Sequence, residues 1–441
     1  MLGSFVTDAL VVVVVLGIMI FIHEAGHFMA AKSFGVRVLV FSLGFGKTLF
    51  HIQRGDTDYR ISALPFGGYV KMAGDDPSEV REGDTGEFLS QPRWKRFIIV
   101  VMGPAMNVLL AVALLTGLYK FHFERPAYLE QPAMVGDVEP DSPAAQAKVQ
   151  PGDLILRLGT QENPKWEDVD FKILTAVNEA IPVVLQRNGQ IVKTTVTPVA
   201  KGSDRVGFAG WDPTARGILD KVEPGLPADK AGLKPGDEII GVDGHKVFYF
   251  PNIAYAIKSG NGKPVTFEVL RDGKDLQITV QPSYGELMGE KRWRVGFEFH
   301  NGMVVRHLPF VKALQASLDD NARNSLATFD VLGKILTRQM SPRTLSGPIR
   351  IAQLSGEAYR AGIPELLLLI SFISLQLGIF NLLPIPVLDG GVILLLLVES
   401  LMRRDLSLEV KERFVQVGIV FLLLLAAFVM YNDLVKTFRP Y

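Results

Sequence analysis

The sequence predicts a multi-pass α-helical membrane protein with four transmembrane helices, a β hairpin element on the cytoplasmic side and a tandem α+β insert on the outer side. Three observations carry this reading. Four apolar tracts of about 18 or more residues punctuate the 441-residue chain, each long enough to cross a hydrocarbon core of about 30 Å. A polar stretch between the second and third tracts repeats itself. Lys and Arg crowd two of the connecting loops and are missing before the first tract.

The first tract covers residues 5–31 and is placed as a transmembrane helix over 1–32. The n-region, residues 1–8, carries no Lys or Arg and ends in Asp8, the wrong charge pattern for a cleaved signal peptide, so the helix is read as retained. Residues 33–94 form a basic, membrane-associated loop. Ten Lys and Arg lie between Lys32 and Arg96, and segments 59–64 and 67–72 read as strands around Pro65 and Phe66. The second tract, 97–119, gives a helix over 95–120. The third, 366–383, is followed by a short apolar run at 392–398, so 363–402 reads as a spanning helix plus a half-helix. The fourth, 414–431, gives a helix over 412–434, preceded by Arg403, Arg404, Lys411 and Arg413. With both basic loops inside, the N terminus, residues 120–365 and the C terminus lie outside.

The insert repeats with an offset of 84 residues: Val138-Glu139-Pro140 returns as Val222-Glu223-Pro224, and Pro151-Gly152-Asp153 as Pro235-Gly236-Asp237. Between windows 138–159 and 222–243, about 10 of 22 positions are identical. Each copy reads as strand, Pro turn, short helix, Pro-Gly-Asp turn and apolar strand, and Asp243-Gly244 and Asp272-Gly273 add hairpin signals. This pattern resembles tandem PDZ domains of the bacterial type, at 127–205 and 206–300. The second copy, with Ala231-Gly232-Leu233-Lys234, is the better match; the first, with Ala147-Lys148-Val149-Gln150, is degenerate. The resemblance implies that a peptide or C-terminal ligand adds to a sheet edge beside a helix. Two small domains serving only as steric bulk stay open as the alternative. Residues 301–362 read as amphipathic linker helices, with 309–333 suited to lie along a membrane surface.

Composition removes several chemistries. There is no cysteine, which excludes disulfides, zinc ribbons, Fe–S clusters and thiol catalysis. Lys+Arg and Asp+Glu are 46 each, so no global basic field attracts nucleic acid. Against this background stands His23-Glu24-Ala25-Gly26-His27. On a helix, positions i and i+4 share a face, so both imidazoles reach one zinc ion and Glu24 lies close enough to take a proton from its water. A chance motif of this type is expected well under once in a chain with seven histidines. The same polar groups inside an apolar helix are costly without a partner or cavity. Catalytic zinc takes a third protein ligand, and none follows closely. The third tract ends in Asn381-Leu382-Leu383-Pro384-Ile385-Pro386-Val387-Leu388-Asp389-Gly390-Gly391, where two prolines break the helix. An acid at that depth is a functional candidate, although Asp389 equally suits a helix cap at Gly390.

These motifs together resemble the site-2 protease family of intramembrane zinc metalloproteases, nearest to its bacterial regulator-of-sigma-E branch, over nearly the whole chain. Further matching stretches are Gly103-Pro104-Ala105-Met106-Asn107 and Phe41-Ser42-Leu43-Gly44-Phe45-Gly46-Lys47. The resemblance implies one Zn²⁺ held by His23, His27 and Asp389, Glu24 as catalytic base, and Asn381 holding substrate. It implies substrates that are single-pass membrane proteins, such as an anti-sigma factor or remnant signal peptides, within the lipid bilayer of the bacterial inner membrane. One departure is Val392, where many relatives carry a basic residue or His after Asp-Gly-Gly. Lys32 follows Ala25 by about 10 Å of helix, which puts the zinc near the cytoplasmic side. A membrane-anchored PDZ scaffold or chaperone with a vestigial metal site is the alternative function. A zinc transporter needs further intramembrane acids or histidines, where the second helix offers only Asn107 and the fourth only Gln416.

Overall fold

The computed structural model describes residues 2–438 apart from 77–82, 122, 130, 203–204, 288–289, 301–302 and 346. Helix α1 (Leu2–Ser33) leads into strands β1 (Val38–Arg54) and β2 (Thr57–Met72), then helix α2 (Arg93–Phe121). A strand-rich stretch carries four short helices: α3 (Pro143–Gln146), α4 (Trp166–Thr175), α5 (Pro227–Lys230) and α6 (Pro251–Ser259). The chain closes with α7 (Phe310–Leu336), α8 (Pro348–Ala361), α9 (Ile363–Asn381), α10 (Asp389–Met402) and α11 (Leu408–Phe438). Two compact units result, one of residues 1–123, 307–332 and 345–441, the other of 124–306 and 333–344.

Among the described residues, four helices of the helical unit are long and apolar enough to cross a membrane: Leu10–Ser33, Arg93–Phe121, Ile363–Asn381 and Leu408–Val435. Helix α10 has 14 residues, about 21 Å at 1.5 Å per residue, and falls short of a span. Helix α2 is the hub. Gly26 of α1 lies so close to α2 that an added Cβ would overlap the Met102 carbonyl. On the other side of α2, the Ser371 and Ser374 hydroxyls of α9 donate to the carbonyls of Ala111 (2.9 Å) and Asn107 (2.8 Å). Gly378 continues that stripe, its missing Cβ leaving 3.0 Å to the Pro104 carbonyl. Small residues and hydroxyl bonds are how apolar helices gain close contact where no hydrophobic force separates helix from lipid. The amphipathic segment forms α7, whose stripe of Ala313, Ser317 and Asn321 is buried. Ser317 Oγ donates to the Val112 carbonyl of α2 at 2.9 Å, while Leu318, Leu326 and Phe329 stay exposed.

The basic loop departs from two strands around Pro65 and Phe66. The chain reverses at Gly55 (φ +60°), between Arg54 and Thr57, which pair. Pro65 and Phe66 lie inside β2, where it bends instead of turning back. The first part of β1 pairs on both sides, Phe41 with both Tyr59 and Val70, and Ser42 with both Arg60 and Tyr69. Both long strands therefore fold over into a curled antiparallel sheet. Gly44 (φ +90°) and Gly46 (φ +84°) bend β1, and Gly67 (φ +128°) bends β2. Left-handed φ values are open to glycine at no steric cost, which explains why the bends fall there.

In the strand-rich unit, residues 154–158 pair antiparallel with 161–162 on one side and 181–187 on the other, and 190–196 completes the sheet. The same arrangement recurs 84 residues on, with 238–242 between 245–246 and 265–271, and 274–280 outermost. The second sheet is extended by 217–222 and 297–299. Each Pro-Gly-Asp turn is clamped alike. Asp153 accepts Arg187 Nε and Nη2, both at 2.7 Å, and Asp237 accepts Arg271 at 2.6 and 2.7 Å. Both aspartates also accept a backbone N–H, from Gln150 and Lys234. The two cores are separate, one around Ile155, Trp166 and Leu185, the other around Ile239, Ile253 and Phe267.

Candidate metal centre

His23 and His27 occupy successive turns of α1 and point into the helical unit, each less than a tenth exposed. Their Nε2 atoms are 3.3 Å apart. Asp389, the first residue of α10, brings Oδ2 to 3.1 Å from His23 Nε2 and Oδ1 to 3.4 Å from His27 Nε2. The sequence separates the carboxylate from the imidazoles by more than 360 residues, and the fold brings all three to one point.

The turn before α10 accounts for the placement of Asp389. Leu388 N–H donates to the Ile385 carbonyl at 3.2 Å, closing a β-turn with Pro386 second and Val387 third. Val387 has φ +80°, the value a type II turn asks of its third residue and usually gives to glycine. A β-branched residue there stores strain, which the close packing around the turn holds. Gly390 and Gly391 lie so close beneath the turn that a Cβ on either would overlap the Leu383 or Ile385 carbonyl. From α11, Gly418 meets Pro386 in the same way.

Helix α2 backs both histidines. His27 Nδ1 lies 2.9 Å from the Ile99 carbonyl, so this nitrogen carries the ring proton and Nε2 is left as an acceptor. His23 Nδ1 faces the Asn107 side-chain amide at 3.2 Å. Between them sits Gly103, where a methyl group would overlap His27 Nε2 and lie 2.9 Å from His23 Nε2. Glu24 is flanked by the curled sheet. The Val70 backbone N–H donates to its carboxylate, and a Cβ on Gly68 would stand 3.2 Å from Glu24 Cγ. The side chain is within electrostatic reach of His23, His27 and Asp389.

The donor set fits zinc. Bonds of about 2.0–2.1 Å at tetrahedral angles separate ligand atoms by roughly 3.3 Å. Here the two imidazole nitrogens are 3.3 Å apart, and each has one oxygen of the Asp389 carboxylate near it, Oδ2 at 3.1 Å from His23 and Oδ1 at 3.4 Å from His27. Two imidazole lone pairs and a carboxylate aimed at one another repel unless a proton or cation lies between them.

The chain matches the family model "Peptidase family M50" over residues 11–425. The chain belongs to this family. It is a zinc metalloprotease of the site-2 protease type. It is 30% identical over 465 residues to the regulator of sigma-E protease RseP of Escherichia coli K12, covering 98% of this chain and 99% of that protein. It is likewise 30% identical over 458 residues to the regulator of sigma E protease of Salmonella typhi, with coverages of 96% and 97%. A Neisseria meningitidis protein with a provisional zinc-metalloprotease name is 32% identical over 438 residues, with coverages of 95% and 97%.

Of the five residues singled out from the sequence of this M50 protease, the structure brings His23, His27 and Asp389 together and sets Glu24 beside them. Asn381 is elsewhere on the same connection, the last residue of α9, and among the described residues no side chain hydrogen-bonds to its amide. Val392 is exposed on the first turn of α10. Sequence reasoning passed over Gly103 and Asn107 as parts of the site. The available signal was their four-residue spacing on an apolar helix and one amide that such a helix has no other use for.

Proposed function

We propose that this protease hydrolyses peptide bonds in transmembrane segments of single-pass membrane proteins, using one zinc ion held by His23, His27 and Asp389. The observation that carries the reading is the convergence of the two imidazole nitrogens, 3.3 Å apart, with the Asp389 carboxylate, one oxygen of which lies within 3.4 Å of each. When bound, the zinc supplies Lewis acidity for hydrolysis. Glu24 takes the proton of the attacking water and returns it to the leaving amine, a role supported by its position beside both histidines. The curled sheet next to Glu24 pairs with an extended substrate and keeps it from reforming helix, in which carbonyls are tied up in i→i−4 bonds. Asn381, whose amide has no side-chain hydrogen-bond partner among the described residues, receives backbone groups of the opened substrate.

The substrate class is the one that the motifs' family resemblance implies. An anti-sigma factor or a remnant signal peptide in the bacterial inner membrane is a single-span segment, and its cleavage makes this a component of regulated intramembrane proteolysis. We read the two strand-rich lobes as PDZ-like modules on the outer side that exclude untrimmed substrates or take a free C-terminus. The basic loops support a metal centre near the cytoplasmic side.

The test is incubation of detergent-purified protein with a model single-pass substrate, with and without chelator, beside Glu24→Gln. Cleavage is expected to vanish in both arms while Glu24→Gln keeps its zinc. Cleavage that survives both treatments overturns the proposal and favours a scaffold with a vestigial metal site.

A further inference from the structure

One face of α2 supports both histidines. Ile99, Gly103 and Asn107 are spaced by four and lie in a stripe along it. Ile99 gives its carbonyl to His27 Nδ1, Gly103 makes room for the two Nε2 atoms, and Asn107 meets His23 Nδ1. Asn107 is fully buried, at 0% exposure, and its own backbone carbonyl is held by Ser374 from α9. Among the described residues, its side chain has one hydrogen-bonding neighbour, His23.

Its amide can present either end. With Nδ2 against the imidazole, His23 Nδ1 must accept, which puts the ring proton on Nε2 and withdraws that lone pair from the cluster with His27 and Asp389. The same orientation leaves Asn107 Oδ1 buried without a hydrogen-bond partner, a cost of about 1–3 kcal/mol for a group of this kind. Turning the amide end for end resolves the tautomer conflict, with Nδ2 taking the place in which Oδ1 has no partner. Oδ1 then accepts the Nδ1 proton, and Nε2 is free to bind a metal. An amide oxygen and nitrogen are nearly equal in shape, so the turn needs no repacking.

We infer that Asn107 is a positioning residue of the metal centre, its side-chain oxygen accepting the Nδ1 proton of His23 as the Ile99 carbonyl accepts that of His27. The inference rests on the reading of the His–His–Asp cluster as a zinc site. It deepens that reading by assigning α2 the outer hydrogen bonds of both imidazoles. Such partners fix the tautomer and orientation of a ligating histidine, and their loss typically costs 10–100-fold in metal affinity.

The test is the zinc dissociation constant of the purified full-length protein, measured by competition with a chromophoric chelator. Wild type, Asn107→Leu, Asn107→Asp and His23→Ala are compared. Asn107→Leu keeps the volume and removes the acceptor, so zinc affinity is expected to fall about 10–100-fold. Asn107→Asp keeps the acceptor, so affinity is expected to stay within about 3-fold of wild type or to tighten. A packing role predicts the reverse order, with leucine tolerated and the buried charge disruptive. Leucine binding zinc as tightly as wild type, or aspartate losing as much as leucine, overturns the inference. Should the leucine variant fail to fold, the aspartate variant decides alone: retained affinity supports it and lost affinity overturns it. Wild-type affinity in His23→Ala overturns the zinc site itself, and with it this inference.

Discussion

Gly103 is a sensitive position in the metal centre, because a Cβ there would enter the space between the histidine nitrogens. Gly103→Ala is expected to weaken zinc binding by at least about 10-fold and to abolish cleavage, while helix content by circular dichroism stays unchanged. Zinc bound by the variant as tightly as by wild type would contradict the geometry. The residues themselves differ in how far the sequence exposes them. His23, Glu24 and His27 are legible because a helix converts four-residue spacing into one face. Asp389 is legible because two prolines and an acid have no cheap place in an apolar stretch. Gly103 and Asn107 share a four-residue spacing, but that spacing names no chemistry by itself. Their role exists only once α2 is laid against α1, which is a tertiary fact.

The connection between α9 and α10 is held from both sides as an element. The strained Val387 turn sits on Gly390 and Gly391 and is pressed by Gly418 from α11. Gly418→Val forces Pro386 away, and with it the start of α10 that carries Asp389. Activity is expected to drop by 10-fold or more, in line with the roughly 100-fold loss that a 1 Å misplacement can cause. The check is cleavage rate together with zinc content, which falls alongside it if Asp389 has moved. Unchanged activity would mean that α11 does not set the turn. Apolar length alone anticipates the long helices and the shortness of α10. The curl of β1 and β2 is less visible. Gly44, Gly46 and Gly67 mark the bends, but the double pairing of Phe41 and Ser42 requires the register, which strand propensity does not contain.

For the whole molecule, the repeat is the most legible large feature, since the Pro-Gly-Asp turns recur with their arginine clamps at the same offset. The strand-rich unit also carries a built-in pH response. Burial, aided by the nearby charge of Asp212, pushes the Asp170 carboxyl up to about 6, against an ordinary value near 4. The folded state therefore binds this proton more tightly than the unfolded chain. The stability it contributes is fully present below about pH 4 and is lost as pH rises through 6. Asp170→Asn is expected to stabilise the unit by about 1 kcal/mol at pH 7.5, allowing for partial exposure, and to do little at pH 4. Thermal melts followed by tryptophan fluorescence at the two pH values check this, and an equal shift at both contradicts it. The claim on which the molecule's function turns is that distant segments share one metal ion. Zinc content after exhaustive dialysis, in wild type beside Asp389→Ala, tests it most directly. The account predicts about one zinc per wild-type chain and almost none in the variant; equal zinc in both would contradict it.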